Sequence, residues 1–405
     1  MLQPRRSAAL LSVSALAVVA LAGCGDDANE GGKDEGSAGG ATQVAITAVS
    51  GDDGDECQVD TTSVGAGPVT FTVANEDAPG ITEVELLSGA RIVAEKENVV
   101  PGLPEVTFTV TLGGGDYEIY CPSAVEEKIP FTVTGDAAPA PTGGPAKLLA
   151  DGATDYAAYV QTQVDGMVVG VQALSDAVDS GDLAAAQQAY AEARPFYEKV
   201  ESDIEGFLLP DADPTENSGN LDYLIDMRAS SLDPAVGWSG FHAVERDLFG
   251  RQRITDRTRQ YAVDLVTNVT ALADVAKGLT FRAEDLANGA AGLLEEVQSG
   301  KISGEEEQFS HLDILDFAGN VEGAEQAFEA LRPGLQEIDP DRVATISDRF
   351  DEVNQLLERY KDPSALGGYR PYTAALRKSD APEMSRRVQA LAEALAGLAE
   401  KVATA

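Results

Sequence analysis

Histidine occurs only twice in 405 residues, at His242 and His311, so any site that uses imidazole must use one of these two. Cysteine occurs three times, at Cys24, Cys57 and Cys121; the long C-terminal part holds none, which excludes a thiolate nucleophile or a cysteine-ligated zinc there. Basic residues are scarce as well. The 29 Lys and Arg stand against 68 Asp and Glu, a formal net charge of −39 that repels nucleic acid and anionic lipid and concentrates cations. Nucleic-acid binding is thereby excluded, although a solvated acidic surface does not by itself make a metal site. His-Glu-x-x-His, His-x-x-Glu-His and Gly-x-Ser-x-Gly are all missing, which removes the usual zinc-peptidase and serine-hydrolase motifs. Beyond Leu21 no apolar run reaches the roughly 18 residues needed to span a bilayer.

What is present begins with a leader. Arg5 and Arg6, the apolar run Ala8 to Leu21 and the small-residue site Leu21-Ala22-Gly23-Cys24 read as a signal peptide over residues 1–23. Leu-Ala-Gly-Cys resembles the bacterial lipobox, which implies that Cys24 is acylated and that the mature chain is anchored to the outer face of the cell membrane. A polar, Gly-rich stretch within residues 24–42 suits a flexible tether.

From residue 43 to about 135 the apolar period is two: Val69, Phe71 and Val73, then Val106, Phe108 and Val110, then Ile129, Phe131 and Val133. Turns at Gly65-Ala66-Gly67-Pro68, Pro101-Gly102 and Gly113 to Asp116 divide this region into the short strands of an all-β sandwich. A Pro/Ala/Gly linker is expected over 136–150. From 151 to 405 the period is helical, with breaks near Gly181, Pro210 to Gly219, Gly250, Gly300 to Gly304, Pro333 and Pro363 to Pro371. These segments predict an all-α bundle, whose core is a natural place for inward-facing ligands.

In Gly240-Phe241-His242-Ala243-Val244-Glu245 a spacing of three places His242 and Glu245 on one helix face, able to share an ion. Pattern alone leaves open whether they are a hydrogen-bonded structural pair. Glu198 and Glu201 share a face in the same way, as ligands or as solvated surface. One imidazole with several carboxylates is a hard, oxygen-rich set that suits iron or manganese.

These stretches resemble a known family. Gly240 to Phe249, Ala290 to Glu296, Lys301 to Glu306, Ser310 to Asp313 and Asp316 to Gly323 resemble the imelysin-like domain of EfeO proteins, lipoproteins of EfeUOB-type iron-uptake systems. The resemblance implies a metal site at His242 and Glu245, with carboxylate partners at Glu201 and Asp226 and with Glu198 nearby. It implies delivery of iron to a membrane permease, often beside a haem peroxidase. His311 and Asp313 are expected beside the site or in a structural role, and Glu305 in a further acidic site. Two other classes stay open, a metallopeptidase and a metal-free binding module. The first needs an open metal position and a general base; the second tolerates loss of His242.

In the β-region, Asp116-Tyr117-Glu118-Ile119-Tyr120-Cys121-Pro122 resembles the last strand of a cupredoxin. A type-1 copper site needs two His and usually a Met, and neither type occurs near Cys121. Cys57 and Cys121 are left as a disulfide or as a redox or ligand pair. The cupredoxin-like domain of the resembled family implies copper or ferric-iron binding at Cys57 and Cys121, with Glu83, Glu85 and Glu118 as further ligands; zinc is the other metal considered.

Overall fold

A computed structural model describes residues 40–89, 91–136 and 143–405. The expected signal peptide, Cys24, most of the tether and part of the linker lie outside the described residues. Nine strands come first among the described residues: β1 (Thr42–Ser50), β2 (Asp55–Val59), β3 (Ser63–Gly65), β4 (Gly67–Asn75), β5 (Val84–Ser88), β6 (Arg91–Lys96), β7 (Val106–Leu112), β8 (Gly115–Tyr120) and β9 (Lys128–Thr134). They form a four-stranded sheet, β2-β1-β4-β7, and a five-stranded sheet, β3-β9-β8-β5-β6. The period-two residues explain why the sheets stack. Phe71 lies 4.9 Å from Phe108 in its own sheet and 5.5 Å from Phe131 in the other, ring centroid to ring centroid, so one aromatic cluster fills the space between them. A disulfide joins Cys57 on β2 to Cys121 at the end of β8 and ties one sheet to the other.

The helices follow: α1 (Gly144–Ser180), α2 (Leu183–Glu198), α3 (Glu201–Ile204), α4 (Leu221–Asp226), α5 (Gly240–Glu245), α6 (Asp256–Ala276), α7 (Ala283–Glu296), α8 (Asp313–Ile338), α9 (Pro340–Glu358), α10 (Ala374–Leu395) and α11 (Leu398–Ala403). The architecture is thus an all-β sandwich followed by an all-α bundle. Along α1 the buried residues Tyr156, Val160, Val164, Met167, Val171, Leu174 and Val178 recur every three or four positions and make one apolar stripe. That stripe packs against α2, α6 and α8. Gly181 ends α1 in the left-handed conformation, and the Asp182 side chain caps α2 by accepting from the Ala184 and Ala185 amides. The break expected at Pro333 does not occur. Pro333 lies inside α8, where the buried neighbours Leu331 and Leu335 hold the helix together across the missing hydrogen bond.

Two glutamates that matter below, Glu245 and Glu296, each close an α-helix that continues as a π-helical turn, Arg246–Gly250 and Val297–Lys301. The wider turn redirects the side chains that follow it. Gly240 opens α5 at φ +66°, and a Cβ there would sit 2.0 Å from the Ile225 carbonyl oxygen. This close approach brings α5 against α4, and with it His242 against Asp226. Gly240→Ala is therefore expected to lower stability by about 2–4 kcal/mol in urea unfolding. A loss below about 0.5 kcal/mol, within the range of ordinary surface changes, would show that the contact is dispensable.

Candidate metal centre

Helix α2 carries an unusual stripe. Tyr190, Arg194, Tyr197 and Glu198 are all buried on its inward face, at the spacing where apolar residues are expected. The Arg194 guanidinium is fully buried and ion-paired with Glu198 at 2.5 Å, Glu306 at 2.9 Å, Asp316 at 3.2 Å, Glu307 at 3.3 Å and Asp226. The rings of Phe241 and Tyr197 lie 5.3 and 5.5 Å from it, adding a cation–π contribution. A second buried cation, Lys301, ends the π-helical turn after α7. Despite both, carboxylates outnumber cationic groups in this core.

His242 on α5 lies at the centre. Its Nδ1 is 3.0 Å from Glu245 Oε2, while Glu245 Oε1 accepts from the backbone amides of Phe309 and Ser310, each at 2.7 Å. Both Glu245 oxygens are thus engaged, and the carboxylate fixes the ring rather than facing the open side. On that open side the buried Nε2 has no partner in hydrogen-bond geometry. It points at Glu306 Oε1, 3.4 Å away, and Asp226 Oδ1, 3.6 Å away. One ligand atom from each of Asp226, His242 and Glu306 lies within 4.8 Å of the other two. The same two oxygens also pair with the Arg194 guanidinium, so a hard divalent cation entering beside Nε2 would share them with it.

The electrostatics keep the two carboxylates ready for a cation. Burial would raise Glu306, but Lys301, Arg228 and His242 hold it well below the usual carboxylate range. Burial likewise opposes ionisation of Asp226, and Arg194 and His242 overcome it and lower its pKa. Around them burial dominates. Glu307 is pushed up to about 8, chiefly by burial and by Glu245, and burial with Glu198 raises Asp316 well above its ordinary value. For His242 burial disfavours the charge, yet Asp226 and the surrounding hydrogen bonds raise its pKa well above 6.5.

Asp226 also lines a cavity of 260 Å³ between the β-sandwich and the bundle, together with Glu83, Glu85, Glu95, Glu97, Glu201, Glu205, Asp222 and Arg228 among others. The β5–β6 pairing sets Glu85 directly opposite Glu95, a like-charge pair that a sheet ordinarily avoids. Burial and then Glu83 and Glu97 push Glu85 up to about 8. The cavity is strongly acidic, and one of its lining residues is a candidate ligand.

Residues 152–402 match the family model described as imelysin, peptidase M75. The chain belongs to the imelysin family. The iron uptake system component EfeO of Escherichia coli strain K12 is 34% identical over 344 residues, 85% of this chain and 88% of the relative. Proteins of the same description from Shigella flexneri and Shigella sonnei match to the same extent. The aligned length exceeds the imelysin region, so the likeness reaches into the β-sandwich and this imelysin protein is of the EfeO type.

Within the imelysin bundle the predicted residues separate into groups. The structure brings Asp226 and His242 together but places Glu245 behind the ring. Glu198 and Glu201 are buried, not solvated, yet they face Lys301 at 3.3 Å each rather than His242. Exposed His311 and Glu305 lie away from the three-residue group, whereas buried Asp313 accepts from the Glu307 amide at 3.2 Å. In the β-sandwich the disulfide leaves neither Cys57 nor Cys121 a thiolate, so the ligand-pair reading does not hold in this state. Glu83 and Glu85 line the acidic cavity, but Glu118 faces a separate depression and lies 3.6 Å from Lys128. Sequence reasoning missed Glu306 as a candidate ligand, and Arg194 and Lys301 as the buried cations beside it. The signal for Arg194 was its position on the apolar stripe of α2; for Glu306 beside Glu305 there was none.

Proposed function

We propose that this chain is the iron-binding component of an iron-uptake system, in which Asp226, His242 and Glu306 hold one iron ion as cargo. The observation that carries this reading is the buried, unpartnered His242 Nε2 facing two carboxylates. An oxygen-rich set with one imidazole suits Fe²⁺ better than Cu⁺, which favours thiolate and thioether ligands. Zinc fits the same donors, and iron is preferred because the relatives are named as iron-uptake components. In this reading the acidic cavity that Asp226 lines is the ion's route, and its excess of carboxylates concentrates the cation there.

The ion is then passed to a membrane permease, with a haem peroxidase as a second partner, and the chain works outside the cytoplasm on a lipid carried by Cys24. These parts of the proposal rest on the resemblance and on residues outside those described; no described helix is long and apolar enough to cross a membrane. Copper in the β-sandwich requires reduction of the Cys57–Cys121 disulfide first.

Anaerobic titration of the whole protein with Fe²⁺ tests the reading. One equivalent is expected to bind, with affinity falling at least about 100-fold in Asp226→Asn or Glu306→Gln. The fall in Glu245→Gln is expected to be smaller, about 10–100-fold, because an outer partner tunes a ligand without being one. If the wild type takes up no iron, or the ligand variants match it, the reading fails.

A further inference from the structure

Lys301 occupies a position that an ion could fill. Its ammonium is fully buried and lies 3.3 Å from Glu198 Oε2, 3.3 Å from Glu201 Oε2, 3.5 Å from Glu306 Oε2 and 3.8 Å from Glu296 Oε2. Only the contact to Glu201 has hydrogen-bond geometry. Neither oxygen of the fully buried Glu198 carboxylate has a partner in hydrogen-bond geometry, although Oε1 lies 2.5 Å from the Arg194 guanidinium. Four carboxylate oxygens at similar range around one positive atom resemble a coordination sphere more than an ammonium pocket, which needs no more than three directed acceptors.

Glu306 connects this position to the first. Its Oε1 faces His242 Nε2 at 3.4 Å, and its Oε2 faces Lys301 at 3.5 Å. One carboxylate thus spans two adjacent cation positions, as bridging glutamates do in dinuclear carboxylate sites of helical bundles. The side with His242 offers nitrogen and oxygen donors; the side with Lys301 offers oxygens alone, a set for a hard cation such as Mn²⁺ or Fe²⁺.

We propose that Lys301 is a built-in cation filling the second position of a Glu306-bridged pair, and that it thereby limits the centre to a single metal ion. The inference rests on the metal-binding reading above. A tethered ammonium neutralises Glu198 and Glu201 whether or not cargo is present, so the bundle stays folded when empty. It also denies the site a second ion, whose bridging carboxylate would hold the first more tightly and hinder its release. Lys301 is in this sense a specificity-determining residue for stoichiometry.

The test is metal content of the whole protein after anaerobic dialysis against Mn²⁺, with electron paramagnetic resonance of the bound ion. The wild type is expected to hold about one Mn²⁺ with the spectrum of an isolated ion. Lys301→Met is expected to hold about two, with the broadened spectrum of a spin-coupled pair, because a bridging carboxylate keeps the ions close. A merely structural counter-ion would leave the stoichiometry unchanged. If Lys301→Met does not fold, the charge-balanced Lys301→Met/Glu296→Gln variant carries the same test and retains the three nearer carboxylates. One ion in both the wild type and the folded variant overturns the inference and leaves the metal-binding reading standing; two in the wild type overturns it as well. No Mn²⁺ in either protein overturns the inference, and the Fe²⁺ titration above decides the metal-binding reading separately.

Discussion

Arg194→Met is expected to destabilise the metal-free protein by at least about 3–5 kcal/mol at neutral pH, the range for removing one partner of a buried charge network. The guanidinium is fully buried and touches five carboxylates. Methionine fills much of the volume but leaves those acids without their main counter-ion. Those that are ionised must then keep their charge in a low-dielectric core or take up a proton, and either course opposes folding at neutral pH. The sign with pH follows from Asp226, whose pKa is lowered in the folded chain, in part by Arg194. A lowered carboxylate contributes stability that is present above its unfolded pKa of about 3.8 and is lost as pH falls through the folded value. The gap between variant and wild type should therefore be widest near pH 7 and narrow in acid. Urea denaturation at several pH values measures it, and a gap that is small, or that widens in acid, would show that the network is not held by Arg194.

Glu85→Gln should move stability in the opposite direction. Glu85 is 6% exposed, faces Glu95 across the hairpin, and has its pKa pushed up to about 8 by burial, Glu83 and Glu97. A carboxyl raised in the folded state is stable there as the acid. Its contribution is full below the unfolded pKa of about 4.5 and is lost as pH rises toward 8. The metal-free wild type should accordingly weaken across that window. Glu85→Gln removes the ionisation and is expected to be more stable than the wild type by roughly 2–4 kcal/mol at pH 8, with little difference at pH 4. Thermal unfolding of chelator-treated protein at the two pH values provides the comparison. A destabilised variant at pH 8 would mean that the Glu85 carboxylate is held ionised by a partner other than its neighbours here. The residue's placement suits a passage for cations: an acid that is costly to ionise when the passage is empty favours any divalent ion that enters it.

The two-domain order was legible in residue periodicity, because alternation at Val69-x-Phe71-x-Val73 and the three-to-four spacing along α1 follow directly from the geometry of strand and helix. The family was legible in the stretch around His242 and Glu245, and scarcity made His242 conspicuous, since only two imidazoles were available. The roles within the site were not legible. A glutamate in a helical sequence looks the same whether it meets water, an ion or an arginine, and its charge argues for the surface by default. Glu198 and Glu201 overturned that default because α2 and α3 turn them inward toward Lys301. Glu245 satisfied the spacing rule for a shared ion, but the turn bearing Phe309 and Ser310 engages its second oxygen and leaves it holding the ring.

The sequence by itself determined the β-then-α architecture, the acidic character and the two imidazoles around one of which a site could form, because each is set by local spacing or by composition. Tertiary structure alone decided that Glu306 and not Glu305 faces His242, that Arg194 and Lys301 are the buried counter-ions, and that Asp226 lines the acidic cavity beside the β-sandwich. Those groups come from segments far apart in the chain, and only packing of the helices sets the distances of a few ångströms on which ligation and charge pairing depend.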